Sequence, residues 1–315
     1  MQARSVKDVR MIEPTWLLVG GVVVCSGVAL AIWMIFVEPY RFTVREVDLP
    51  TISRPSHRVA VEAPELAPLT VLHITDTHFN GKDEKKLGFL EEVSQRDYDL
   101  VFYTGDLIDT PEGVESCRKA AGYFQPKLGS FGVLGGHDHY KLHPFLRYLQ
   151  FLNPSLTSNR YGKLNPAEDV VDALSDAGVH VLQDDSTLID LPGGGRCAII
   201  GLRDSYLFRP SLRAGWEDVP DDVPVIVLSH SPDVLPELLR RRADLAFFGH
   251  THGGQVRLPL VGALMTRSNL PGRRASGTFK RYRTVYTLNN GLGATEWLSY
   301  RLLCRPEVTV VHLTE

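Results

Sequence analysis

The residues of this chain best suited to chemistry are acids and histidines set close together: Asp76-Thr77-His78, Gly105-Asp106, Gly135-Gly136-His137-Asp138, Ser229-His230 and Gly249-His250-Thr251-His252. Neutral imidazole is a borderline ligand and carboxylate a hard one, so the mixture suits a divalent metal such as manganese, iron or zinc. Asp-x-His directs one oxygen and one imidazole to the same point, and a carboxylate such as Asp106 can bridge two cations. His137 next to Asp138 reads differently. A carboxylate beside an imidazole orients it and raises its proton affinity, so His137 could protonate a leaving group. Asp109 reads as a supporting residue, or as a turn or helix-start residue. Taken singly, each stretch is equally a polar turn with incidental histidines.

What sets these stretches apart is the pattern ahead of them. Thr70–Thr75, Leu100–Thr104, Phe131–Leu134, Val223–Leu228 and Ala246–Phe248 are short apolar runs, each ending at one of the candidate groups. Such runs read as buried strands, and in open α/β sheets functional groups gather beyond the carboxyl ends of strands. Gly105 and Gly249 break two of the runs and let backbone approach closely. Helical apolar spacing falls at 85–95, 113–123, 167–177 and 234–242, so the chain is α/β.

With 315 residues, 43% hydrophobic and 23% charged, there is material for one large α/β domain with appendages or for two modest domains. The net charge of −3 does not indicate bulk nucleic-acid binding. Cys25, Cys117, Cys197 and Cys304 form no Cys-x-x-Cys pair, which argues against a zinc ribbon or disulfide framework. Residues 1–15 form a short tail, and 16–37 carry no charge. As a helix the latter covers roughly 30 Å, enough to cross a bilayer. Arg4, Lys7 and Arg10 ahead of it fit a signal peptide as well, and Ala29-Leu30-Ala31 resembles a cleavage site, but the apolar run continues through Val37 and favours an uncleaved anchor. Basic residues flank the span on both sides, so orientation stays open. Residues 38–68 hold Pro50, Pro55, Pro64 and Pro68 and read as an extended connector, with strand-like alternation over Phe42–Val47. A catalytic domain is expected from Leu69 to the C-terminus.

The order Asp-x-His, Gly-Asp, Gly-Gly-His-Asp, Ser-His, Gly-His-x-His resembles the calcineurin-like metallophosphoesterases over about residues 69–315. Gly249–Gln255 looks most like their bacterial membrane-anchored branch, as do Glu38-Pro39-Tyr40-Arg41-Phe42, Asn290-Gly291-Leu292-Gly293, Arg301 and Arg305-Pro306-Glu307. The resemblance implies a two-sheet sandwich flanked by helices and a dinuclear site. Asp76, His78 and His252 would hold one cation, Asp106 would bridge, and His230 and His250 would hold the other. A hydroxide between the cations would attack phosphorus in line. His137 would contact the phosphoryl group and protonate the leaving oxygen, with Asp138 orienting it. One departure stands out. The family usually has asparagine where this chain has Gly136, so a donor to the second cation is missing, and water, substrate or His139 would have to replace it. The second ion is therefore expected to bind weakly.

Two further features bear on substrate. Apolar residues at spacings of three and four over 143–161 fit an amphipathic helix, either a lid or a membrane-resting insertion, or else a helix packed into the core. Arg257, Arg267, Arg273, Arg274, Lys280, Arg281 and Arg283 form a basic stretch that could guide a phosphorylated substrate or lie on anionic headgroups. Arg203 and Asp204 stand at the end of another apolar run, from where they could reach the site. These point to a lipid-linked phosphate ester or pyrophosphate such as UDP-2,3-diacylglucosamine, hydrolysed at a bacterial inner membrane. The alternatives are a soluble nucleotide or aryl phosphodiester as substrate, or a membrane-tethered phosphate-binding protein without turnover.

Overall fold

Two six-stranded sheets carry the apolar runs. The structure is a computed structural model, and it describes residues 14–50, 68–141, 164–192, 194–241, 243–294 and 299–314. In sheet order the first comprises β1 (Thr43–Pro50), β14 (Glu307–Thr314), β2 (Leu69–Ile74), β3 (Leu100–Thr104), β4 (Ser130–Val133) and β5 (Val179–Val181). The second comprises β12 (Gly277–Arg281), β13 (Thr284–Leu288), β9 (Leu245–Phe248), β8 (Val225–Ser229), β7 (Arg196–Leu202) and β6 (Asp185–Asp190). Strands β2, β3, β4 and β5 run parallel, as do β7, β8, β9 and β13, so their carboxyl ends share one edge of each sheet.

Both faces of each sheet are covered, which is why the central strands read as unbroken apolar runs rather than alternating ones. Val71, Leu100, Phe102, Phe131 and Val133 point inward against Ile199, Ile226, Leu228, Leu245 and Phe247. Phe102 meets Phe247 edge to face at 5.0 Å. On the outer face of the first sheet, Leu72, Ile74, Val101 and Tyr103 pack on Leu90 of α2 (Glu84–Val93), Ala120 of α3 (Val114–Gly122) and Val170 of α5 (Ala167–Asp176). Burying each such large side chain is worth about 1.5–3 kcal/mol. The expected helix at 234–242 is shorter: a 3-10 turn at Pro232–Val234 leads into Leu235–Leu238, because the chain must enter β9 at Leu245.

The N-terminal region departs more from expectation. Helix α1 (Pro14–Ile32) continues through a π-helical turn at Trp33–Val37, and its residues Leu18, Val22 and Phe36 are each about two-thirds exposed or more. It is long and apolar enough to cross a membrane. The strand expected over Phe42–Val47 is present as β1, but it does not belong to a connector. It pairs in parallel with β14 from Thr43 opposite Glu307 to Pro50 opposite Thr314. Arg45 fixes it there, donating to Glu307, Thr309, Thr278, Thr287 and the Leu288 carbonyl, and so ties the two sheets together. The foot of α1 is tied down too. Glu38 accepts from the Trp33 indole (2.8 Å) and the Cys304 amide (3.3 Å), while the Arg301 amide donates to the Met34 carbonyl (2.9 Å). The rest of the expected connector and the insertion at 143–161 lie outside the described residues.

Candidate metal centre

Loops leaving β2, β3, β4, β8 and β9 bring the candidate groups to one buried place at the shared sheet edge. The backbone there is contorted: Asp76 (φ 47°), His78 (44°), Asp106 (50°), His250 (68°) and His252 (48°) all lie in the left-handed region. Each such residue costs of order 1–3 kcal/mol and persists only where its surroundings over-determine it. Here they do. The Asp76 amide donates to the Gly105 carbonyl, His78 to Asp106 and Phe79 to Leu107, lacing the two loops together. Gly249 must be glycine, because a Cβ there would meet Thr75 Oγ1 at 2.1 Å and an Asp76 oxygen at 2.3 Å. Gly135 is under the same constraint from Asp106 and His230.

Two groups of donors result, Asp76–His78–His252 and Asp76–Asp106–His230, with a third combination of His78, Asp106 and His137. His252 Nε2 lies 3.4 Å from Asp76 Oδ1 and 3.2 Å from His78 Nε2; His230 Nε2 lies 3.2 Å from Asp106 Oδ2. Outer partners fix which nitrogen faces inward. His78 Nδ1 donates to Asp109 (3.3 Å) and His230 Nδ1 to the Thr104 carbonyl (2.8 Å), so Nε2 of each is turned to the centre. His250 is reversed: its Nε2 donates to the Arg267 carbonyl (3.1 Å), which leaves Nδ1 as the nitrogen able to ligate, and its ring stands 5.2 Å from that of His230. Acceptor groups this close repel one another in a dry pocket unless protons or cations lie between them. Separations near 3.2 Å suit donors that share a cation at about 2.0–2.2 Å, so these residues fit the group the family implies.

Protonation follows from burial and charge. Desolvation pushes Asp76 up to about 7 and holds His78 down at about 4, with His252 well below the usual histidine range. Burial also lowers His250. For His230 burial acts downward, but Asp106, Asp76 and Asp204 outweigh it and raise it well above normal. Burial likewise opposes ionisation of Asp106, and His230 with His137 holds it well below the carboxylate range. Burial thus favours the neutral, ligating form of His78, His250 and His252, while the carboxylates around His230 favour its protonated form beside ionised Asp106.

The expectation that Asp138 orients His137 is corrected. His137 Nδ1 donates to Asp109 at 2.8 Å, and both Asp138 oxygens are taken by backbone amides, those of Leu107, Ile108 and Gly135. Neighbours on α4 (Gly136–His139) point in different directions, so adjacency in sequence could not pair them. Asp109 therefore braces two histidines, as a supporting residue should. Sequence reasoning missed Lys86, whose ammonium donates to the Thr77 and His78 carbonyls at 2.8 Å, and its ion-pair partner Asp83. Arg301 is fully buried and donates to the carbonyls of Asn290, Gly291 and Gly293, while the Gly293 amide reaches the Asp76 carbonyl at 2.6 Å. The basic stretch 257–283 is not one loop; it holds the hairpin β10 (Arg257–Leu258)–β11 (Gly262–Ala263), then β12.

A two-sheet sandwich with acids and imidazoles delivered from strand ends of both sheets is the arrangement of a metal-dependent phosphoesterase. The calcineurin-like phosphoesterase model matches residues 69–254, and the chain belongs to that family, whose members use dinuclear divalent metal sites. It is a hydrolase of phosphate esters. Among its relatives, UDP-2,3-diacylglucosamine pyrophosphatase LpxG of Chlamydia muridarum is 25% identical over 328 aligned positions, covering 92% of this chain and 94% of that one. Phosphodiesterase YaeI of Escherichia coli is 27% identical, covering 82% of this chain and 86% of its own. The uncharacterised metallophosphoesterase YkuE of Bacillus subtilis is 28% identical, covering 76% of each.

Proposed function

We propose that this protein hydrolyses a lipid-linked phosphate ester or pyrophosphate, of the kind UDP-2,3-diacylglucosamine represents, at the surface of a bacterial inner membrane in which α1 is its single anchor. The observation that carries the hydrolytic part is the set of acid–imidazole groups linked through Asp76 and Asp106 at the sheet edge. In this reading Asp76, His78 and His252 hold one divalent cation, Asp106 is shared, and His230 and His250 hold the second. Manganese, iron or zinc bound there supplies Lewis-acid polarisation of the phosphoryl group and acidifies a water. His137, held by Asp109, hydrogen-bonds the phosphoryl group and gives its proton to the leaving oxygen.

Support for the lipid part comes from the surface near the anchor. The β10–β11 hairpin exposes Leu260 (91%), Val261 and Leu264 (60%), with Arg267, Arg273 and Arg274 beyond them. Its Arg257 amide donates to the Leu302 carbonyl, next to the Arg301 that grips the anchor foot. Exposed apolar residues followed by exposed arginines suit an interface of acyl chains and anionic headgroups. The test is to load the metal-free, detergent-purified chain with manganese and compare kcat/KM on a generic aryl phosphodiester, a nucleotide diester and lipid pyrophosphates including UDP-2,3-diacylglucosamine. Preference for the lipids is expected, with His137→Ala lowering kcat by about 10²–10⁴-fold. Preference for the soluble diesters overturns the lipid assignment. No turnover of any ester by the loaded protein returns it to a phosphate-binding role.

A further inference from the structure

We infer that Asp204 supplies the donor to the second cation that position 136 lacks. The inference rests on the two-cation reading above. Asp204 follows β7 in the second sheet and is 1% exposed. A Cβ built on Gly136 has Asp204 Oδ2 as its nearest neighbour, at 3.5 Å. The carboxylate thus occupies the space into which a longer side chain at 136 would extend. The turn that holds it is well made: Asp204 Oδ1 accepts from the Tyr206 amide (3.1 Å), and the Asp204 carbonyl accepts from Phe208 (2.9 Å).

Oδ2 has no such partner among the described residues, although it is buried. A buried carboxylate oxygen without a hydrogen bond is costly to keep and calls for a counter-charge. Its main attractive electrostatic neighbours are His230 and His250, the two imidazoles assigned to the second cation, and Asp106 is a further neighbour of like charge. His139, the other side chain that could replace an asparagine, packs its ring edge-on against Phe208 at 5.0 Å. Asp204 comes from a different sheet and a distant part of the chain, so glycine at 136 exchanges a neutral amide donor for a charged one. A hard divalent cation favours that exchange.

The experiment is a manganese titration of metal-free full-length protein in detergent, read by calorimetry, by metal analysis per chain and by the exchange-coupled electron paramagnetic resonance signal of paired ions. Wild type should bind two manganese ions with a coupled signal. Asp204→Ala should keep one and bind the second at least tenfold more weakly, with an isolated-ion signal. Asp204→Asn, which preserves the bond from Tyr206, should weaken the second ion less. Adding Gly136→Asn to Asp204→Ala should restore the second ion, since a side chain at 136 meets only ordinary contacts, and that rescue separates lost ligation from lost folding. Unchanged binding of both ions by Asp204→Ala overturns the inference and leaves the two-cation reading intact. Wild type that binds no manganese overturns both.

Discussion

At the residue scale, Asp109 and Asp138 show how two similar buried carboxylates take different work. Asp109 braces His78 and His137 through their Nδ1 atoms. Replacing it with asparagine should cost about 10–100-fold in kcat or metal affinity while leaving the fold intact, because outer partners of ligating histidines act at that level. Asp138 holds three amides of the β3 and β4 loops. Asp138→Asn leaves a buried amide unsatisfied, so it should lower stability by about 1–3 kcal/mol, seen as a lower Tm in the metal-free protein. The reverse pattern, activity loss in Asp138→Asn without a stability change, would restore Asp138 as the orienting group. His73 makes a different point. It is fully buried between the sheets, bonded to Thr104 Oγ1 at 2.7 Å, and burial holds its pKa down at about 3. The unfolded chain takes up that proton near pH 6.5 and the folded chain does not, so stability contributed by neutral His73 is present above about 6.5 and is lost as pH falls toward 3. The slope is about 1.4 kcal/mol per pH unit. Denaturant unfolding between pH 7 and 5 should show a shallower pH dependence in His73→Gln, and equal slopes would refute the assignment.

At the scale of elements, β1 decides where the folded body starts. It lies outside the matched residues 69–254, yet it covers β14 along its length and delivers Arg45 to Glu307. A chain beginning at residue 38 should fold and keep its Tm within a few degrees in detergent. One beginning at residue 51 leaves Glu307 buried without its arginine and β14 as an open edge, which costs about 3–5 kcal/mol and invites aggregation. Size-exclusion profiles and thermal unfolding of the two truncations distinguish these outcomes; equal stability would show β1 to be dispensable.

At the scale of the whole molecule, helix α1, the 299–305 loop and the β10–β11 hairpin form one connected face, joined through Met34, Arg301, Leu302 and Arg257. A cavity of about 330 Å³ opens beside it, lined by Tyr40, Lys82, Lys85, Gly293 and Arg301. Gly293 in turn packs against the Thr77 carbonyl, between Asp76 and His78 of the candidate metal centre. If this face meets the bilayer, Leu260→Asp with Leu264→Asp should lower kcat/KM on substrate presented in anionic vesicles by about tenfold, or on the order of 1.4 kcal/mol. Turnover of a water-soluble aryl diester should stay unchanged. An equal loss on both substrates would place the hairpin in the chemistry instead of at the membrane.

Local pattern alone determined much of this protein. The strand ends, the α/β class, the long apolar N-terminal helix and the acids and histidines gathered at the sheet edge were legible because buried parallel strands read as apolar runs and glycines mark where they break. Tertiary structure decided the rest. It chose Asp109 over Asp138 as the partner of His137, folded β1 into the first sheet, and set Asp204 opposite Gly136. Each of those depends on which side chains meet across sheets and turns, and a hydrogen bond or an ion pair forms by distance in space, which the order of residues along a chain does not encode.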